Sequence, residues 1–182
     1  MLKTRVVVPT CLPLVRRRCH ACAAERFRAS GKFRVNANPK LIDAWLLALG
    51  TACGETTTLT VLERTNVRAV RPELLNRLHD NDSGLTAELL QDPIVQRRNH
   101  IALDWDNSWR LDAGESDQSA DEAVDVSVDF AARIPVRPVR LIAEGFGLSQ
   151  AEVERLLAGG DLVSAIRLSG KLSGDFTFTL EH

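Results

Sequence analysis

Residues 9–22 read PTCLPLVRRRCHAC and end on the CxxC Cys19-His20-Ala21-Cys22, which Cys53, followed by Gly54, answers about thirty residues further on. Two thiols three residues apart on a tight turn present both sulfurs to one side. Two such turns bring four thiolates to tetrahedral positions about 2.3 Å from one Zn²⁺. The sequence supplies three of those four positions, Cys19, Cys22 and Cys53, so the arrangement is most of a zinc ribbon. Counting back from Cys53 by the CxxC spacing reaches Gly50, which has no side chain. A fourth ligand would have to come from elsewhere, and His20 inside the first turn and Cys11 at the end of the preceding strand both lack ribbon spacing. A bound structural Zn²⁺, a ribbon that has lost its metal, and a disulfide or redox role all stay open. The arginines beside Cys19 favour its thiolate, but no base or resolving thiol can be assigned to it.

Working outward, Arg5–Val8 and Leu12–Arg18 read as strands, with Pro13 confining the second to an edge. Ser30-Gly31 and Asn38-Pro39 read as turns bracketing Phe33 and Val35, and Leu41–Leu49 and Thr56–Leu62 as two strands joined around Cys53-Gly54. At Pro72 the period changes: Leu74, Leu75 and Leu78 share a helical face, and Asp82 and Asp92-Pro93 punctuate further short helices reaching about His100. The acidic stretch 112–122 has no large apolar side chain and reads as a linker or loop. Beyond it Val124, Val126, Val128 and Phe130 alternate with polar residues as in a half-buried strand. Ser149 and Glu152 make a capping box, Val153, Leu156 and Leu157 form an apolar stripe, and Gly159-Gly160 ends the helix. Strands are expected at Leu162–Leu168 and Asp175–Glu181.

The expected architecture is α+β. It comprises a β-rich, zinc-ribbon-like domain over 1–69, a short helical segment over 70–111, an acidic linker over 112–122, and a small helix-turn-helix plus β-pair unit over 123–182.

The whole chain of 182 residues is nearly neutral, with 23 Lys and Arg against 24 Asp and Glu, yet its charge is polarised. Residues 1–40 carry ten basic side chains and the single acid Glu25, whereas residues 81–130 carry twelve acids against Arg97, Arg98 and Arg110. Such a basic segment fits phosphate neutralisation on RNA, with Arg16, Arg17, Arg18, Arg26, Arg28 and Arg34 as the contacts and Phe27 and Phe33 as stacking platforms. The competing reading is a protein-interaction module whose basic and acidic segments pair internally.

Little points to catalysis. Asp104-x-Asp106-x-Ser108 with Glu115 imitates a calcium loop, but Trp109 occupies the position that requires glycine. His79 and His100 have no nucleophile or carboxylate arranged for triad chemistry, and there is no phosphate-cradling glycine loop. The chain is read as a non-enzyme. No apolar run approaches the roughly 20 residues of a membrane helix. The order of charges at the N-terminus is the reverse of a secretory signal, so a cytoplasmic location is expected.

Three stretches, PTCLPLVRRRCHAC at 9–22, GKFRVNANPKLIDAWLL at 31–47 and LTVLER at 59–64, resemble the bacterial family known as domain of unknown function 1062. In that family the segment after the tryptophan equivalent to Trp45 usually carries a second CxxC; this sequence keeps Cys53 and has Gly50 at the other place. The resemblance implies kinship of fold without an activity. Separately, Arg140-Leu141, Gly147-Leu148-Ser149, Leu156 to Gly160, Ser169-Gly170-Lys171 and Gly174-Asp175 resemble the alpha-L RNA-binding motif. That resemblance implies RNA contacts from Arg140 and Lys171, although Gln150 replaces the arginine that commonly follows the serine.

Overall fold

The structure, a computed structural model, describes residues 2–113 and 123–181. The chain forms two compact units, Leu12–Asp104 on one hand and Met1–Cys11 with Trp105–His182 on the other. The division expected at residue 69 is therefore corrected: β1 (Leu2–Pro9) does not join the strands that follow it but pairs with strands more than a hundred residues away. Three valines in a row suit a strand packed between neighbours, and nothing local in the sequence names those neighbours.

The cysteine-bearing unit is built on an antiparallel sheet of β2 (Leu14–Arg16), β3 (Arg26–Ala37), β4 (Leu41–Gly50), β5 (Thr56–Asn66) and β6 (Ala102–Asp104), in the order β5-β4-β3-β2-β6. Pro13 precedes β2 and so costs it no ladder bond; β2 lies between β3 and β6 and is not an edge strand. Helices α1 (Pro72–His79), α2 (Ser83–Gln91) and α3 (Pro93–Asn99) intervene before β6. One sheet face buries Val15, Phe27, Ala44, Leu46 and Leu59 against Leu78, Leu85 and Leu90 of the helices. Each of the Val, Leu and Phe side chains in that set stabilises the fold by about 1.5–3 kcal/mol. Ser30-Gly31 is not a turn. It is an irregularity inside β3, with Gly31 at φ +73°, and the ladder resumes beyond it with Phe33 opposite Leu46. The insertion is held by Ser30 Oγ donating to the Leu47 carbonyl at 2.9 Å and by Asn81 Oδ1 accepting the Phe33 N–H at 2.7 Å.

The segment expected to be helical to 111 stops at Asn99, where His100 takes a left-handed φ of 50°, and strands replace it. One of these is β7 (Trp109–Ala113), the edge of the second sheet, whose order is β7-β1-β8-β10-β9. Its other members are β8 (Val124–Phe130), β9 (Leu162–Val163) and β10 (Phe176–Leu180), and β1 and β8 run parallel. Helices α4 (Pro138–Phe146) and α5 (Gln150–Gly159) stand between β8 and β9. α5 opens on the expected capping box, with the Ser149 hydroxyl accepting the Glu152 N–H and Glu152 accepting the Ser149 N–H, and it closes on Gly160 at φ +87°. The strand expected over Leu162–Leu168 is only its first two residues. Most of the acidic stretch, residues 114–122, lies outside the described residues. Among the described residues no helix is long and apolar enough to cross a membrane.

Acid sensitivity of the helical layer follows from one ion cluster. Arg77 forks onto Glu88 at 3.0 and 2.9 Å and reaches Asp82, the N-cap of α2, at 2.9 Å. The backbone N–H of Leu85 and then the Arg77 guanidinium hold the Asp82 carboxyl below its ordinary range, and Arg77 does the same for Glu88. A depressed carboxyl contributes stability above its unfolded value of about 4 and loses it as pH falls through the folded value. Arg77→Met should therefore melt below wild type at about pH 6, and the gap between the two should narrow as melts are repeated down to about pH 3.

Candidate metal centre and basic strand face

Two hydrogen-bonded turns create the site. β2 and β3 pair Arg16 with Arg26, and the chain between them is closed by the Arg17 N–H on the Glu25 carbonyl at 3.0 Å and the Cys19 N–H on the Ala24 carbonyl at 2.9 Å. β4 and β5 are joined by a turn in which the Gly50 N–H donates to the Glu55 carbonyl at 2.8 Å. Residues 19 and 50 thus hold the same place, each donating to the carbonyl five residues on, and Cys22 and Cys53 hold the matching place three residues later. The register of β3 on β4, Phe27 opposite Gly50, sets the second turn beside the first, and the Thr51 N–H bonds the Arg26 carbonyl at 3.0 Å.

The thiols of Cys19, Cys22 and Cys53 lie within 4.8 Å of one another, and the Sγ atoms of Cys19 and Cys53 are 3.7 Å apart. Sulfurs at about 2.3 Å from a tetrahedral zinc stand about 3.8 Å from each other, so this separation already matches one edge of the metal's coordination shell. The backbone N–H of Ala21, and with it that of Cys22, lowers the Cys19 pKa against the opposing effect of burial. At Cys53 the Glu55 N–H pulls the same way, but hydrogen bonds to the Cys22 and Cys19 thiols, burial and the Cys19 charge outweigh it and push the thiol up. Backbone donors thus favour the thiolate at Cys19, while the neighbouring thiols hold the proton on Cys53, an upward push that a cation among the sulfurs would offset.

Gly50 occupies the fourth corner. A Cβ placed on it would stand 3.2 Å from Cys53 Sγ, so a side chain there would enter the thiol cluster. Neither fallback ligand joins the group: Cys11 and His20 are exposed and outside the three-thiol cluster. Beside the thiols opens a cleft of about 550 Å³ lined by Arg18, Cys19, His20, Ala21, Cys22 and Ala23.

The arginines separate by place. Arg16, Arg26, Arg28 and Arg34 are exposed on the sheet face away from the helices. Arg26 is tied to Asp104 at 3.0 Å, whereas among the described residues no carboxylate pairs with Arg16, Arg28 or Arg34. Arg17 is half-buried and donates to the Thr58 carbonyl at 3.2 Å, and Arg18 is exposed next to Cys19. Phe27 and Phe33 are not stacking platforms: Phe27 is buried, and Phe33 packs against the same core. The aromatic on the arginine face is Trp45, directly opposite Arg34 in the ladder, with the exposed Leu49 opposite Arg28. Trp45 was identifiable only through that long-range register.

Arg140 and Lys171, carried over from the alpha-L resemblance, line one cleft of about 280 Å³ together with Trp109, Arg137 and Gln150. The Arg140 guanidinium lies 5.3 Å from the Trp109 ring centroid, and Lys171 Nζ is 3.8 Å from Asp106. The basic neighbour Arg137 was not singled out from sequence, because only the fold brings it to Lys171.

A family model described as protein of unknown function (DUF1062) matches residues 35–167, and the chain belongs to that family. No curated protein and no solved structure matches.

Proposed function

We propose that this chain is a non-catalytic metal-binding protein in which Cys19, Cys22 and Cys53 hold one Zn²⁺ that staples the β2–β3 turn to the β4–β5 turn. The observation that carries this reading is the convergence of three thiols from two equivalent turns, one pair already at 3.7 Å. An all-thiolate donor set favours a soft, closed-shell ion, and tetrahedral zinc satisfies it without redox chemistry. Each turn is closed by backbone hydrogen bonds of its own, so the metal would contribute by neutralising clustered thiolates and locking two chain segments together.

A second reading is supported by the solvent face of β2 and β3. The cysteine-bearing unit has fourteen Lys and Arg against ten Asp and Glu; on this face Arg34 stands opposite Trp45 and Arg28 opposite Leu49, and Arg16 pairs with Arg26 on the neighbouring strand. Cations flanking an aromatic face fit RNA, with phosphates on the guanidinium groups and a base on the indole. The competing internal pairing of basic and acidic segments has Arg26–Asp104 in its favour.

Protein purified with zinc in the medium should contain about one Zn²⁺ per chain by elemental analysis. Structural zinc sites bind with about 10–16 kcal/mol shared over four ligands, so Cys22→Ser should weaken competition-measured affinity by about 100-fold. Zinc-free wild type under those conditions defeats the metal assignment. For RNA, a fluorescent single strand titrated over increasing salt should lose affinity linearly in log units. The triple variant Arg16→Ala, Arg28→Ala, Arg34→Ala should flatten the slope by about 2, at about 0.7 per phosphate contact. Trp45→Ala should weaken binding by about 1–3 kcal/mol. A triple variant that folds and keeps the wild-type slope removes these arginines from the contact.

A further inference from the structure

We infer that the cleft beside α4 and α5 binds a small organic phosphate, with the phosphate on Arg137, Arg140 and Lys171 and the apolar body on Val139, Leu157 and Leu168. The site lies wholly within the unit built on the β7-β1-β8-β10-β9 sheet and does not depend on a metal at the thiol cluster.

Three cations from separate parts of the chain converge there. Val136 and Leu172 form a β-bridge, each N–H donating to the other's carbonyl at 2.8 Å, and this bridge brings their chain neighbours Arg137 and Lys171 to one cleft. Arg137 is the N-cap of α4, and Arg140 follows in the first turn, its guanidinium 5.3 Å from the centroid of the Trp109 ring. That turn contains no acid. Among the described residues neither Arg137 nor Arg140 has a carboxylate partner, and Lys171 Nζ stands 3.8 Å from Asp106, beyond hydrogen-bond distance. In the cleft of about 280 Å³ three cations therefore face one carboxylate. A concave wall of one sign concentrates ions of the other.

The class of ligand follows from the adjoining space. A larger cleft of about 620 Å³ shares Arg137, Gln150 and Lys171 with the first and adds Val139, Leu157 and Leu168. Volumes of this size, apolar on one side with a few convergent polar groups, are those of small-molecule sites. Two guanidinium forks and an ammonium suit the oxygens and double charge of a phosphate. Glu154 lines only the larger cleft, so charge orients the molecule with its phosphate toward Trp109. A nucleic-acid backbone fits less well. This unit has nine Lys and Arg against fourteen Asp and Glu, so its surface beyond the cleft repels a long polyanion and leaves a small phosphate unaffected.

The test is calorimetric titration of the full chain with phenyl phosphate and with inorganic phosphate. Phenyl phosphate should bind about tenfold more tightly than inorganic phosphate, because its ring covers the apolar wall. Arg137 is exposed, so Arg137→Gln leaves the packing intact. That variant and Lys171→Gln should each weaken both ligands by about tenfold. Leu157→Asn should remove the preference for phenyl phosphate and keep the affinity for inorganic phosphate. A wild type that takes up no phenyl phosphate at millimolar concentration overturns the inference, and so does binding that survives the Arg137→Gln, Lys171→Gln double variant. Equal affinity for the two phosphates removes the apolar half and with it the ligand class. A structured RNA that binds wild type and weakens in the double variant, where phenyl phosphate does not bind, reassigns the cleft to nucleic acid and overturns the inference as well.

Discussion

The register of β3 on β4 is the constraint from which the site follows. Because Phe27 stands opposite Gly50 and Arg28 opposite Leu49, the end of β4 arrives beside the start of β3, and the two turns that carry the thiols become neighbours. The same register sorts the faces. Phe27, Ala29, Phe33 and Val35 go to the helix side, and Arg28 and Arg34 go to solvent. A slip of one residue would exchange these sets, sending guanidinium groups into an apolar layer and separating Cys19 from Cys53. Burial of the apolar set makes that slip costly, so the core fixes the geometry of the thiol cluster.

The irregularity at Ser30-Gly31 protects this arrangement. Ala29 pairs with Ala48 and Phe33 with Leu46, so β3 spends two residues more than β4 over the same interval. An even excess keeps inward residues inward on both sides of the insertion, whereas a single extra residue would have inverted the face of everything beyond it. Gly31 meets the backbone requirement at φ +73°, and Asn81, itself at φ 53° before α2, reaches back to accept the Phe33 N–H. The helical layer is therefore tied to the strand at the point where its ladder is interrupted.

What was legible in the sequence is what local chemistry encodes. The α5 capping box, the αL glycine at its end, the alternating β8 and the CxxC all depend on residues within a few positions of one another. The missing fourth cysteine was also legible, because the CxxC spacing alone leads to Gly50. What was not legible depends on partners distant in the chain. β1 was read as part of the first domain because its pairing with β8 spans more than a hundred residues. Phe27 and Phe33 were read outward because alternation identifies two faces without saying which is buried. Ser30-Gly31 was read as a turn because a glycine turn and a glycine bulge share one local signature. The helices reach the expected end near His100, but the helical segment drawn to 111 takes in β6 and β7, whose strand partners lie far off in the chain.

The thiol cluster and the basic face meet at β2. This strand is three residues long, and it is followed directly by Arg17, Arg18 and Cys19. Its hydrogen bonds to β3 are few, and the Arg17 side chain donates across to β5. The first thiol turn hangs on short ladders of β2 to β3 and β6, whereas Arg28 and Arg34 sit within the long β3–β4 ladder. The Cys19 and Cys53 thiols, 3.7 Å apart, already join the two turns, and a cation held there as proposed would tie them more firmly. Under the proposed metal reading, the end of the basic face at Arg16 and Arg18 adjoins the thiol cluster, whereas Trp45 and Arg34 lie further along the β3–β4 ladder.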